Sequence, residues 1–209
     1  MKLKLKDFVL LALLAALMCA GDFLFEFLPN IHLVGVLIVV TTVVYRRYAL
    51  ISVYIYVLIQ GIVGGFQPWW IPYIYSWDFL WMFVMLIPQK LPEKVKNILY
   101  VAVCAAHGYL FGTLYAPSQV FLFFGGDFSK MIPWIIAGIP ADLIHGTSNL
   151  ILGALAIYPL VLSVSAPVMV SSTSVKTFSR VSVPSAATST LQSIIAHSTE
   201  KMIRNVLLL

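Results

Sequence analysis

Asp142, His145 and Asn149 fall at steps of three and four in a stretch otherwise made of Ile, Leu, Ala and Gly, which sets them on one face of a helix. A carboxylate, an imidazole and an amide in one line can hydrogen-bond a polar ligand, or join an interhelical network with His107 as a partner. Asp78 sits between Trp77 and Trp81, an arrangement that can stack and hydrogen-bond a flat heteroaromatic ring; equally, it can pair with a histidine. Asp22 and Glu26 are four residues apart and share a helix face, where a cation, a basic ligand group or a proton relieves their repulsion; the other reading is that they reach the headgroup region. His107 and His145 with an acid could in principle converge on a metal, but their spacing is no metal signature, and no metal site is assigned. No enzymatic arrangement emerges: there is no Gly-x-x-x-x-Gly-Lys, no His-Glu-x-x-His and no serine on a nucleophile elbow. If ATP powers this protein, it binds another subunit.

The elements that must carry these residues are membrane helices. The 209 residues are 61% hydrophobic and 10% charged, with a mean hydropathy of +0.96, a composition that excludes a soluble core. Ionisable groups at membrane depth cost at least a few kcal/mol unless they face a protein-lined cavity, so each is a functional candidate. The net charge of +5 comes from residues at segment ends, where lipid headgroups explain it without nucleic acid. Cys19 and Cys104 read as small core residues. At roughly 20 residues per span, residues 8–162 divide into six spans, near 8–28, 31–45, 48–65, 72–88, 97–116 and 132–162. The amino-terminal run outlasts a signal peptide and reads as a retained first helix.

Basic residues precede span one (Lys2, Lys4, Lys6) and lie between spans two and three (Arg46, Arg47) and four and five (Lys90, Lys94, Lys96). The alternate connections, Pro29–Ile31, Phe66–Ile71 and Pro117–Met131, carry only Lys130, offset by Asp127. This alternation predicts an all-α integral membrane protein of six spans with both termini cytoplasmic. The run from Gly64 to Tyr73 has too many helix breakers for a helix and too many aromatics for a solvated linker. It is expected to fold onto the bundle as a lid on the face that carries Asn30, His32, Ser118, Gln119 and Asp127, although Trp69 and Trp70 also suit an interfacial aromatic belt. Residues 163–209, rich in Ser and Thr, form a second region, predicted to be a disordered cytoplasmic tail or the product of a shifted reading frame; Leu191–Leu209 could make an amphipathic surface helix.

Three small-x-x-x-small series permit close helix approach: Ala12/Ala16/Ala20, Gly61/Gly65 and Gly108/Gly112. With its size, its topology, the alanine series and the Phe66–Tyr73 lid, the chain resembles, over residues 7 to about 162, the S components of energy-coupling factor (ECF) transporters, six-helix vitamin-capture proteins of the cell membrane. The resemblance implies docking through Ala12, Ala16 and Ala20 on a transmembrane coupling subunit served by two cytosolic ATPases, with the S component toppling to release its vitamin. No cofactor is implied. Trp69, Trp70, Tyr73, Trp77 and Asp78 are then expected to form an aromatic and polar wall that Asp142, His145 and Asn149 face across the pocket. A flavin, a pterin or a corrinoid would suit many aromatics; the sequence does not choose among them. The alternatives are a stand-alone proton-coupled transporter relaying through Asp22, Glu26 or Asp142, and an intramembrane metalloenzyme.

Overall fold

Long apolar segments with few internal charges leave the backbone no polar partner but itself, and each becomes a helix. The computed structural model describes residues 3–177, with side chains as far as residue 165. Among the described residues all regular structure is helical: α1 (Leu5–Leu24), α2 (Val34–Tyr45), α3 (Ala49–Gly64), α4 (Tyr73–Leu86), α5 (Glu93–Tyr109), α6 (Phe111–Phe124) and α7 (Met131–Thr177), with short 3-10 turns at Arg46–Tyr48 and Phe128–Lys130. Four described runs are long and apolar enough to cross a membrane: Leu5–Leu24, Val34–Gly64, Glu93–Phe124 and Phe128–Ser165; Tyr73–Leu86 is apolar but shorter. The second run breaks at Arg46, whose backbone (φ 53, ψ −123) is not helical.

Two boundaries differ from expectation. The connection Pro117–Met131, expected to lie outside the spans, is helical as far as Phe124. The chain breaks at Leu110 and restarts, and α6 absorbs Pro117 at the cost of one backbone hydrogen bond; Gly125 and Gly126, both at positive φ, then end it as only glycine does without strain. At the other boundary, α7 continues beyond 162 to Thr177. Residues 1–165 and 166–209 are separate units; of the second, 166–177 are helical, and the rest of the predicted tail, with its Leu191–Leu209 surface helix, lies outside the described residues.

Within the first unit, α1 packs on α2 and α3, α2 also on α3, α4 and α5, α3 on α4, and α4 on α5 and α6. The core runs through Met18, Val36, Ile38, Val53, Tyr56, Trp77, Leu80, Tyr100 and Ile157. α2 is buried from Val34 to Thr42, and its Thr41 and Thr42 hydroxyls turn back to the carbonyls of Leu37 and Ile38 at 2.7 Å, which satisfies both. Ser52 of α3 donates to the Leu11 carbonyl of α1 at 2.7 Å. α1 buries Leu11, Leu14, Ala15, Met18 and Cys19; Ala12, Ala16 and Ala20 lie on its exposed side with Leu13 and Leu17.

Candidate functional site

Tyr73 and Trp77 lie one turn apart on α4, and Trp69 joins them from the turn before it; successive rings are in edge-to-face contact, with centroids 5.5 Å apart at each step. Trp69 is 37% exposed and Trp77 fully buried, so the line leads from the surface into the core. At its inner end Trp77 meets His107 of α5 and Phe111 of α6, each at 5.4 Å. Phe111 contacts His145 of α7 at 4.8 Å, and His145 contacts His32 at 4.6 Å. Tyr56 lies edge-on to Trp77, and Tyr115 edge-on to Tyr73. Offset and edge-on contacts of this kind contribute about 0.5–1.5 kcal/mol each beyond area burial.

The polar atoms among these rings lack partners. His107 Nε2 lies 3.0 Å from the Ser76 carbonyl, but His107 Nδ1, His145 Nε2, His32 Nδ1, Trp77 Nε1, Ser76 Oγ and Asn149 Oδ1 are buried with no hydrogen-bond partner among the described residues. Each such atom costs about 1–3 kcal/mol, and native interiors hold few of them. Their concentration around one aromatic cluster makes this the candidate site.

The cluster is roofed by the connection from Gly65 to Pro72. Tyr115 donates to the Trp69 carbonyl at 3.1 Å, Gln119 to the Pro68 carbonyl at 3.3 Å, and the Trp70 indole to the Val57 carbonyl at 2.7 Å. Gly61 makes room for this roof, since a Cβ there would sit 2.8 Å from Trp70 Nε1. Gly61 and Gly64, where a Cβ would lie 2.9 Å from the Trp69 ring, therefore seat the roof on α3, whereas Gly108/Gly112 seats α7: a Cβ on Gly108 would lie 2.8 Å from Gly146 Cα, and one on Gly112 would lie 3.0 Å from Asp142 Oδ1. The chain matches no protein family, no curated protein and no solved structure.

Of the predicted site residues, Trp69, Tyr73 and Trp77 come together directly, and His145 reaches Trp77 through Phe111 and His32. Asn149 is fully buried one turn beyond His145, with its amide nitrogen on the Cys104 carbonyl at 3.2 Å. Trp70 is turned aside to Val57 and to Phe66, 4.9 Å away. Asp142 accepts the Gly112 N–H at 2.8 Å; this amide is exposed by the break before α6, and a carboxylate suits a helix N-terminus. Asp78 accepts the Tyr54 hydroxyl through Oδ2 at 2.5 Å, and its Oδ1 is buried without a partner among the described residues. Asp22 accepts Tyr56 at 2.9 Å and also Gln60, while Glu26 is exposed in the following connection. Asp127 caps its own 3-10 turn: the Ser129 hydroxyl and amide hold its carboxyl below the usual range. Among the described residues no group of three or more His, Cys, Asp or Glu is placed to hold a metal ion.

Tyr56, Phe111 and Tyr115 belong to the cluster although their type and position in apolar runs do not distinguish them from lipid-facing aromatics. Phe111 had one available signal, its place four residues after His107, which puts both on the Trp77 side.

Proposed function

We propose that this protein is a membrane-embedded capture subunit, the S component of an ECF-type transporter. It has six spans with both termini cytoplasmic, and it takes a water-soluble, vitamin-like compound from outside into the His and Trp cluster. The coupling subunit docks on the alanine face of α1, and two cytosolic ATPases drive release. The observation that carries the reading is the set of buried, partnerless polar atoms under an aromatic roof, at the end of a line of rings that starts at the surface. A polar ligand restores the hydrogen bonds that the interior lacks.

Three further features support it. The run Val34–Gly64 is broken at Arg46, so α2 and α3 count as two spans, short ones, which neighbouring helices can shield. Ala12, Ala16 and Ala20 stand on the exposed side of α1, a smooth surface on which another membrane helix can approach closely. Asp22 and Asp142 each bond a different neighbour, and Glu26 stands apart, which suits structural duties better than a proton relay. The test is reconstitution. The purified chain should hold its compound tightly yet move it into proteoliposomes only with the coupling subunit, the ATPases and ATP; uptake by the chain alone under a proton gradient would refute the assignment.

A further inference from the structure

The hydrogen-bonding roles of the partnerless atoms restrict what they can hold. A carbonyl only accepts, so His107 Nε2, 3.0 Å from the Ser76 carbonyl, carries the proton; in the neutral ring Nδ1 is then an acceptor, and it has no partner. Asn149 spends its amide nitrogen on the Cys104 carbonyl, which leaves Oδ1, an acceptor, alone. Trp77 Nε1 is a donor and nothing else, also alone. Ser76 Oγ, His32 Nδ1 and His145 Nε2 complete the set and take either role. The occupant must therefore bring N–H or O–H groups to the two acceptors and a lone pair to the indole.

Charge narrows the choice further. No Lys or Arg occurs from residue 7 to 45, and between 48 and 165 the only ones are Lys90, Lys94, Lys96 and Lys130, all at or near helix ends. No cation is thus built into the cluster, and a buried phosphate or carboxylate would go uncompensated. Trp77, with Tyr73, Tyr56 and His32 edge-on and His107 and Phe111 tilted beside it, is a lining for flat ring faces.

We infer that the captured compound is a planar nitrogen heterocycle without negative charge, carrying both N–H donors and ring or carbonyl acceptors. This rests on the capture reading and adds the ligand class to it. The full chain is purified in lipid nanodiscs from cells grown in rich medium, and the small molecules released by methanol are identified by mass. A neutral heterocycle of this kind is expected, with at least about tenfold less retained by His107→Phe and by Trp77→Phe, the latter keeping a ring and removing the indole N–H. Gly138→Ala, in open space, should retain the wild-type amount. A released compound bearing phosphate or carboxylate, or one without ring nitrogen, overturns the inference and leaves the capture reading standing. Retention unchanged in both cluster variants overturns the assignment of these atoms. No small molecule released from the wild type overturns both readings.

Discussion

Gly108→Ala tests the seam on which the site depends. A Cβ at this position would lie 2.8 Å from Gly146 Cα, 2.9 Å from Gly146 N and 2.8 Å from Asn149 Nδ2. Backbone atoms cannot rotate away, so α5 and α7 must part by several tenths of an ångström, and the Asn149 to Cys104 bond at 3.2 Å lengthens with them. Overpacking costs about 1–3 kcal/mol and the weakened hydrogen bond about 1 kcal/mol; the better helix propensity of alanine returns about 1 kcal/mol. The net loss is about 1–3 kcal/mol, or a fall in Tm of roughly 3–10 °C for a chain of this size. Gly138→Ala is the internal control: a Cβ there meets nothing within 4 Å, so only propensity acts, and Tm should hold or rise slightly. The assay is thermal unfolding of the two variants and the wild type in the same nanodiscs. Equal Tm values for Gly108→Ala and Gly138→Ala would refute the close contact of α5 with α7 and, with it, the placing of Asn149.

Asp142→Leu leaves the Gly112 N–H without its acceptor and should cost about 1–3 kcal/mol, read as a lower Tm, whereas Asp142→Asn keeps an acceptor and should lose less than half as much. In a double-mutant cycle, Asp22→Leu and Tyr56→Phe, each of which removes the 2.9 Å bond, should couple by about 1 kcal/mol or more; additive effects would mean that the pair does not interact. On the proposed docking face, Ala16→Trp should abolish ATP-driven uptake by the complete transporter while leaving retention of the bound compound and Tm unchanged, since Ala16 is exposed; unimpaired uptake would remove this face from the docking surface.

Much of the helical order was legible because length and hydropathy report it directly: the predicted starts and ends fall within a few residues of α1, α3 and α4. The stop expected at Pro117 failed for a physical reason. A proline forfeits one hydrogen bond, and α6 outweighs this through contacts invisible in the sequence, Tyr115 and Gln119 reaching the roof and Tyr75 donating to the Leu114 carbonyl at 2.7 Å. At the site, Trp69, Tyr73 and Trp77, expected as parts of one wall, are in ring contact, and the Asp142, His145 and Asn149 stripe does share one face. The sequence could not show that Asp142 and Asp78 have private partners in Gly112 and Tyr54, because those pairings span helices that approach only in three dimensions. For the same reason Tyr56 and Tyr115, unremarkable in their own segments, emerge only when α3 and α6 close on Trp77.

Helix α2 is enclosed by its neighbours all round: every residue from Val34 to Thr42 is buried. Its apolarity is therefore a demand of protein packing, and the neighbours that enclose it shield a helix of only 12 residues at the centre. Its history of substitution should differ from that of α1. Along α1, whose outer stripe includes Ala12, Leu13, Ala16 and Leu17, tolerated changes should recur with the turn of the helix. Along α2 from Val34 to Thr42 no position is free, and accepted changes there should be rare, small and matched by compensating changes in the helices around it.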